Sequence, residues 1–252
     1  MSMTASQIDR ILKNTPVENL PDVMEEFISD ERKAVQNVLT SAGKRYDAYR
    51  KELERTEKMK FFEKKYADYR LICGIDEVGR GPLAGPVMAA AVILPKDCNI
   101  LYINDSKQLS GSKREELYEI ITREAVAWAV GVRDEKRIDE INILQATYEA
   151  MQDAVHSLTV GPDILLNDAV KIPNLPMKQV PIVKGDAQSI SIAAASIVAK
   201  VTRDRFMEET DSVYPGYGFA GNKGYGSKEH IDAIRKLGPC PIHRRTFIGN
   251  FI

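Results

Sequence analysis

LICGIDEVGRGPLAGPVMAAAVIL, residues 71–94, is where the texture of the chain changes. The apolar run from Leu71 to Ile75 reads as a buried strand ending on two acids, Asp76 and Glu77. A turn rich in glycine and proline follows, and Val87–Leu94 is strand-like again. Downstream, the periodicity predicts a helix over Lys113–Trp128, a strand through Val130 and Val132, and a longer helix over Asp139–Ser157. DILLND (163–168) and VPIVKGD (180–186) are further apolar runs that close on an aspartate. Ser189–Phe206 follows as a helix whose Ala-rich first half permits close packing, and Ser227–Leu237 as a shorter one. Upstream, Val38, Leu39, Tyr46 and Tyr49 fall at helical spacing in a segment rich in Glu, Lys and Arg. The expected architecture is α/β: a mixed sheet flanked by helices over 71–252, with a helical N-terminal extension over 1–70.

The 252 residues can bury a substantial core, and 44% hydrophobic with 28% charged residues is ordinary for a globular protein. Asp9, Arg10 and Lys13 interrupt any signal-like apolar core, and no run is long enough to span a bilayer. Cys73, Cys98 and Cys240 are too few and too scattered for a disulfide framework or a Cys-based zinc site, so a reducing cytoplasm is the expected compartment. The net charge of −1 hides an uneven distribution. Residues 71–183 carry 11 basic against 16 acidic side chains, while residues 184–252 carry 10 against 7. Residues 1–70 carry 14 against 13, and an acidic middle between more basic flanks suits carboxylates that gather cations while groups on either side grip phosphates, although ordinary solvated faces would give the same count.

Asp76 with Glu77, Asp168 and Asp186 all lie where candidate strands finish, and sheet ends bring distant residues together. Hard cations such as Mg²⁺ and Mn²⁺ take oxygen ligands, and two such ions need several carboxylates to offset their charge. That set could activate water for phosphodiester hydrolysis without a Ser or Cys nucleophile. Taken singly, each aspartate reads better as a cap on a strand or on the following helix, and it is the recurrence of three such runs that points to a site. Asp76 and Glu77, as consecutive strand residues, point to opposite faces unless the strand ends there or the glutamate curls back. His156, His230 and His243 show no zinc or nucleophile–base spacing and are assigned to surface or packing roles.

The surrounding text narrows these choices. DEVGRGPLAGPV, the DSK at 105–107, KGD at 184–186, SISIAAASIVAKVTRDR and NKGYGSKEH together resemble the ribonuclease HII family, in order and spacing, from about Leu71 to the C-terminus. The resemblance implies a ribonuclease H-like fold and an endonuclease that hydrolyses the RNA strand of RNA–DNA hybrids, leaving 5′-phosphate and 3′-hydroxyl ends. It implies Asp76, Glu77, Asp168 and Asp186 as catalytic and metal-binding carboxylates, with two Mg²⁺ or Mn²⁺ ions once substrate is bound. Ala169 stands where the family often has a glycine. The N-terminal segment resembles extensions found in only some members.

For nucleic-acid contact the resemblance points to Gly79, Arg80, Gly81 and Tyr225, and motifs lying beside the acids point to Lys107, Lys184 and Lys200, with Arg203 and Arg244 as further phosphate candidates; for Lys200 and Arg203, within a helix, packing or a structural ion pair reads equally well. Glycines let main-chain groups approach a ribose, whose 2′-hydroxyl alone separates RNA from DNA, and Tyr225 could lie flat against a deoxyribose on the other side. The expected partners are RNA–DNA hybrids and duplex DNA carrying single ribonucleotides, with no membrane and a monomeric enzyme. A dinucleotide-binding loop is the rival reading, since Gly79, Gly81 and Ala84 satisfy GxGxxA with Asp105 downstream. Its context is wrong, because Gly85-Pro86 breaks the chain where a helix should open and the two acids would repel phosphates. A hybrid-binding module without chemistry, or another nuclease on the same fold, would lack either the four acids or the GRG loop and late tyrosine.

Overall fold

The computed structural model describes residues 3–252, and the chain divides into two compact units, the first through Lys58 and the second from Met59 to Ile252. In the first unit, Thr4 caps α1 (Ala5–Asn14) in a reciprocal box with Gln7, and α2 (Leu20–Glu25) leads to α3 (Lys33–Met59). Ile8, Leu12, Leu20, Val35, Leu39 and Ala42 form its core.

The second unit opens with α4 (Phe61–Lys65) and carries one five-stranded sheet. Its strands are β1 (Ile72–Val78), β2 (Val87–Ile93), β3 (Ala127–Arg133), β4 (Ile164–Asp168) and β5 (Lys178–Ile182), in the spatial order β3-β2-β1-β4-β5. β2 is antiparallel to β1 and β3, whereas β1, β4 and β5 run parallel, so the sheet is mixed. α5 (Gly111–Glu124) and α7 (Ile190–Val213) enclose one core with Ala90 and Val92, and α6 (Glu135–His156) covers the other face through Ala150, Met151 and Ala154 on Cys73, Ile75 and Ala91. α8 (Phe219–Asn222), α9 (Lys228–Leu237) and α10 (Arg245–Ile248) complete the chain.

Two glycines set how closely the layers approach. A Cβ at Gly74 would collide with the Ser191 carbonyl of α7, and one at Gly131 with the Ala150 carbonyl of α6. With Ala193, Ala194 and Ala195 fully buried on the same helix, α7 lies directly on β1.

The helix read over Lys113–Trp128 ends at Glu124, and Trp128 belongs to β3. Ala125 adopts an extended cap, and from Ala127 burial alternates, with Trp128 and Val132 outward. α6 starts at Glu135 and is broken at Asn142 (φ 69°), whose side chain caps the restarted helix at Leu144 and Gln145. β5 ends at Ile182, so Asp186 lies past it in a short 3₁₀ turn, Gly185–Ala187. Residues 59–70, read as part of the extension, pack within the second unit. Phe62, Tyr66 and Tyr69 cover Ile72 and Ile164, and Glu63 Oε1 accepts from Ser189 Oγ at 2.6 Å and Ser191 N at 3.0 Å at the start of α7. No helix among the described residues is long and apolar enough to cross a membrane.

Candidate active site

β1 and β4 are adjacent and parallel with Ile75 opposite Asn167, so the next step along both strands brings Asp76 beside Asp168. Ile72, Gly74 and Asp76 alternate onto the α7 face, as do Ile164, Leu166 and Asp168, and both carboxylates therefore share one side of the sheet. β1 runs on through Glu77 to Val78, so the strand does not end between the two acids. Glu77 nonetheless feels Asp168, and the longer side chain accounts for that reach.

Burial, then the nearby Glu77, pushes Asp76 well above the usual carboxylate range, with Asp168 adding to the rise. A hydrogen bond from Ser196 opposes it. Ser196 Oγ lies 2.9 Å from Ser106 Oγ, both buried, so the DSK segment supports Asp76 through two hydroxyls. Glu77 is raised by burial despite Arg80, whose Nη1 lies 3.3 Å from its Oε1. Burial, then Asp105 and Asp168, raises Asp186 above the usual carboxylate range, with Lys107 opposing the rise. Asp168 Oδ1 accepts the Gly185 N–H at 2.7 Å. Lys107 is lifted above its ordinary value: burial lowers it, but Asp105, Asp76, Asp186 and Asp168 together outweigh that.

The four acids expected from the sequence thus share one charge field, joined by Asp105, which the sequence offered as the acid of a dinucleotide loop and as part of the DSK motif but not as a site carboxylate. Among the described residues no three Asp, Glu, His or Cys side chains are arranged as a ready ligand cage. Glu77 leans toward Arg80 and Asp168 is held by Gly185, which relieves repulsion when only protein groups are present. An all-oxygen donor set whose negative charge Arg80 and Lys107 offset only in part fits a hard divalent cation.

The GRG loop and Tyr225 also come together. Gly224 O accepts from Leu83 N at 2.8 Å and Ala84 N at 3.3 Å, and a Cβ on Gly81 would lie 3.9 Å from Tyr225 Cε1. Gly224 (φ 83°) has no room for a side chain against the Ala84 carbonyl, and Gly79 (φ 88°) none against Arg203. Arg80, Lys184 and Tyr225 are exposed. Lys200 is only partly exposed and pairs with Asp204 at 2.7 Å.

Arg203 and Arg244 correct the sequence reading. Both are fully buried and donate to carbonyls rather than facing a phosphate. Arg203 reaches Pro86 O at 2.9 Å, Ala84 O at 3.1 Å and Lys223 O at 2.9 Å, tying the two loops together. Arg244 reaches Gly79 O at 2.5 Å, Arg80 O at 2.9 Å and Gly85 O at 2.8 and 2.9 Å. Main-chain acceptors 20 to 165 residues away leave no trace in local sequence.

Comparison with known proteins gives the family. The family model for ribonuclease HII matches residues 73–250, and that for the ribonuclease HII N-terminal domain matches residues 4–67. The chain is 57% identical to the ribonuclease HII of Lachnoclostridium phytofermentans over 250 residues, covering 99% of this chain and 98% of that one. It is 50% identical to that of Clostridioides difficile, covering 98% and 97%. Among solved structures, it resembles ribonuclease H2 from Pyrococcus horikoshii (TM-score 0.59, 28% identity, 70% of this chain and 93% of that one). It also resembles the structure of the PCNA:RNase HII complex from Archaeoglobus fulgidus (TM-score 0.58, 25% identity, 71% and 96%). A mixed sheet bearing an acidic cluster at one end, with family models matching nearly its whole length, places the chain in the ribonuclease HII family of ribonuclease H endonucleases, which cut the RNA strand of RNA–DNA hybrids.

Proposed function

We propose that the enzyme is metal-dependent, that Asp76, Glu77, Asp168 and Asp186 are its catalytic carboxylates, and that it cuts at single ribonucleotides embedded in duplex DNA as well as in longer hybrids. The observation that carries this is the placement of Asp76 beside Asp168 on parallel strands, with Glu77 and Asp186 in the same field. These side chains would hold Mg²⁺ or Mn²⁺, two ions when substrate is bound. Bound divalent metal supplies an activated water and charge stabilisation at the leaving oxygen, consistent with 5′-phosphate and 3′-hydroxyl products.

The chain's own groups do the positioning. Ser196 and Ser106 orient Asp76, while Lys107 offsets part of the acidic charge and stands ready for a phosphate. Arg244 draws the Gly79 and Arg80 carbonyls inward, leaving the loop's N–H groups to meet a ribose 2′-hydroxyl. Tyr225, 43% exposed beside Gly81, offers a flat face to the deoxyribose that follows. Lys184 and Arg80 are exposed candidates for phosphate contact, and Lys200 becomes one when its ion pair with Asp204 opens.

The test is to digest, side by side and with or without chelator, a labelled hybrid, duplex DNA with one ribonucleotide, plain duplex DNA and single-stranded RNA. Cleavage of the first two alone, abolished by chelator, is expected. Cleavage of plain duplex DNA, or activity that survives chelation, would overturn the reading.

A further inference from the structure

Two histidines that the proposed chemistry does not use lie beneath Tyr225. His230, in the first turn of α9, and His243 are 0% and 1% exposed, and their Nε2 atoms are 3.1 Å apart. Facing ring nitrogens at that distance need one proton between them, because two would repel and none would oppose lone pairs. The outer ends of the pair decide which ring carries it. The Cys240 N–H donates to His243 Nδ1 at 3.0 Å, so that nitrogen is bare and the His243 proton sits on Nε2. The Cys240 carbonyl, 3.3 Å from the same nitrogen, already accepts the His243 main-chain N–H at 3.1 Å and requires no proton there, and the Cys240 thiol, 3.1 Å away, can donate to the bare nitrogen. His230 Nε2 is therefore the acceptor. Its own proton is left on Nδ1, 2.8 Å from the Tyr225 carbonyl oxygen.

Every ring nitrogen is satisfied, and the chain runs one way, from Cys240 through His243 and His230 to Tyr225. The Tyr217 and Phe219 rings enclose the pair at centroid distances of 5.0–5.7 Å to His243 and 5.3 Å from Phe219 to His230. Burial, then the facing His230, pulls His243 down to about 4, and burial lowers His230. Both rings are thus held neutral, as the single shared proton requires. His243 also bridges Ala84 in the GRG-bearing loop, next to Arg244.

We propose that His243 and His230 form a fixed-tautomer relay that positions Tyr225 against Gly81, making the pair positioning residues for junction recognition. This rests on the reading of Tyr225 given above. The Tyr225 carbonyl is the anchored atom: it also accepts Ser227 N–H at 2.8 Å, so the peptide is held on both sides of the turn into α9. Loss of the His230 contact frees the tyrosine ring while leaving the carboxylates untouched.

The experiment has two arms on the full-length enzyme. With only three histidines in the chain, ¹⁵N NMR of labelled rings should show His230 as the Nδ1–H tautomer and His243 as the Nε2–H tautomer, with exposed His156 as a reference. The reverse assignment, or a charged ring at neutral pH, overturns the relay. In the second arm, His230→Leu should lower cleavage of a single-ribonucleotide duplex by about tenfold more than cleavage of a full hybrid, as expected for a misplaced recognition group. His230→Asn, whose amide nitrogen falls where Nδ1 was, should rescue most of that loss. His230→Leu should add nothing in a Tyr225→Ala background. If folded His230→Leu and His230→Asn keep the wild-type preference while Tyr225→Ala loses it, the relay falls and the tyrosine reading stands. If Tyr225→Ala keeps the preference, the tyrosine reading falls and the relay with it.

Discussion

Arg244 lies buried against Arg203, and burial, then repulsion from Arg203, pulls its guanidinium down to about 9. The two share seven hydrogen bonds to main-chain carbonyls, six in the stretch Gly79–Pro86 and one at Lys223. They form the internal brace of the recognition loop. Arg203→Lys or Arg244→Lys keeps a charge but loses the fork, and each carbonyl left unpaired costs about 1–3 kcal/mol. Denaturant unfolding should show a loss of several kcal/mol for either variant. The slope of log affinity against log salt should match wild type, because neither residue meets a phosphate; a slope reduced by about one unit would return that residue to the phosphate contacts.

Asp76→Asn, Glu77→Gln, Asp168→Asn and Asp186→Asn should each cut turnover by about 10²-fold or more while the far-UV spectrum is kept, since each removes an oxygen charge from the proposed cation site. Near wild-type rates in any one of them at limiting metal would remove that residue from the site.

Without metal, the same carboxyls make stability depend on pH. Asp76, Glu77 and Asp186 are raised in the folded state, so the unfolded chain releases their protons first as pH rises. Their contribution is fully present below the ordinary carboxylate range, around 4, and is lost as pH climbs through the raised values. Metal-free enzyme should therefore gain stability from these groups on mild acidification. Asp76→Asn should flatten that profile and melt higher than wild type at neutral pH, and a lower melting point would contradict the assignment.

Ala169 holds a left-handed backbone (φ 54°) directly after Asp168, which explains why a glycine is at home in that position. Ala169→Gly should relieve about 1 kcal/mol of strain and raise Tm by ~2–4 °C without affecting hybrid cleavage. An unchanged or lower Tm would show that the turn tolerates alanine at no cost.

A chain starting at Met59 should fold and cleave hybrids, with its loss mainly in KM if residues 1–58 grip substrate. A chain starting at Lys65 loses Glu63, whose carboxylate holds Ser189 and Ser191 at the start of α7, and should be less stable by a further ~1–3 kcal/mol. Equal stability of the two truncations would show that α4 contributes nothing to the second unit.

The strand runs of the second unit, the acids that follow those apolar runs and the motif set were legible in the sequence alone. Hydrophobic periodicity is local, and an apolar run followed by Asp76 or Asp168 is written in consecutive residues. Element ends were less legible: β3 begins inside what reads as a helix, since the amphipathic period of α5 runs on smoothly into Trp128. Which charged and polar groups face inward was set by contacts between distant parts of the chain. Arg244 meets Gly79 across 165 residues, Ser106 meets Ser196 across 90, and His230 in α9 meets His243 only because the segment after α9 folds back onto it. An arginine in a basic motif looks the same in sequence whether it awaits a phosphate or braces a carbonyl. Burial separates the two, because a guanidinium out of water must find its acceptors within the fold.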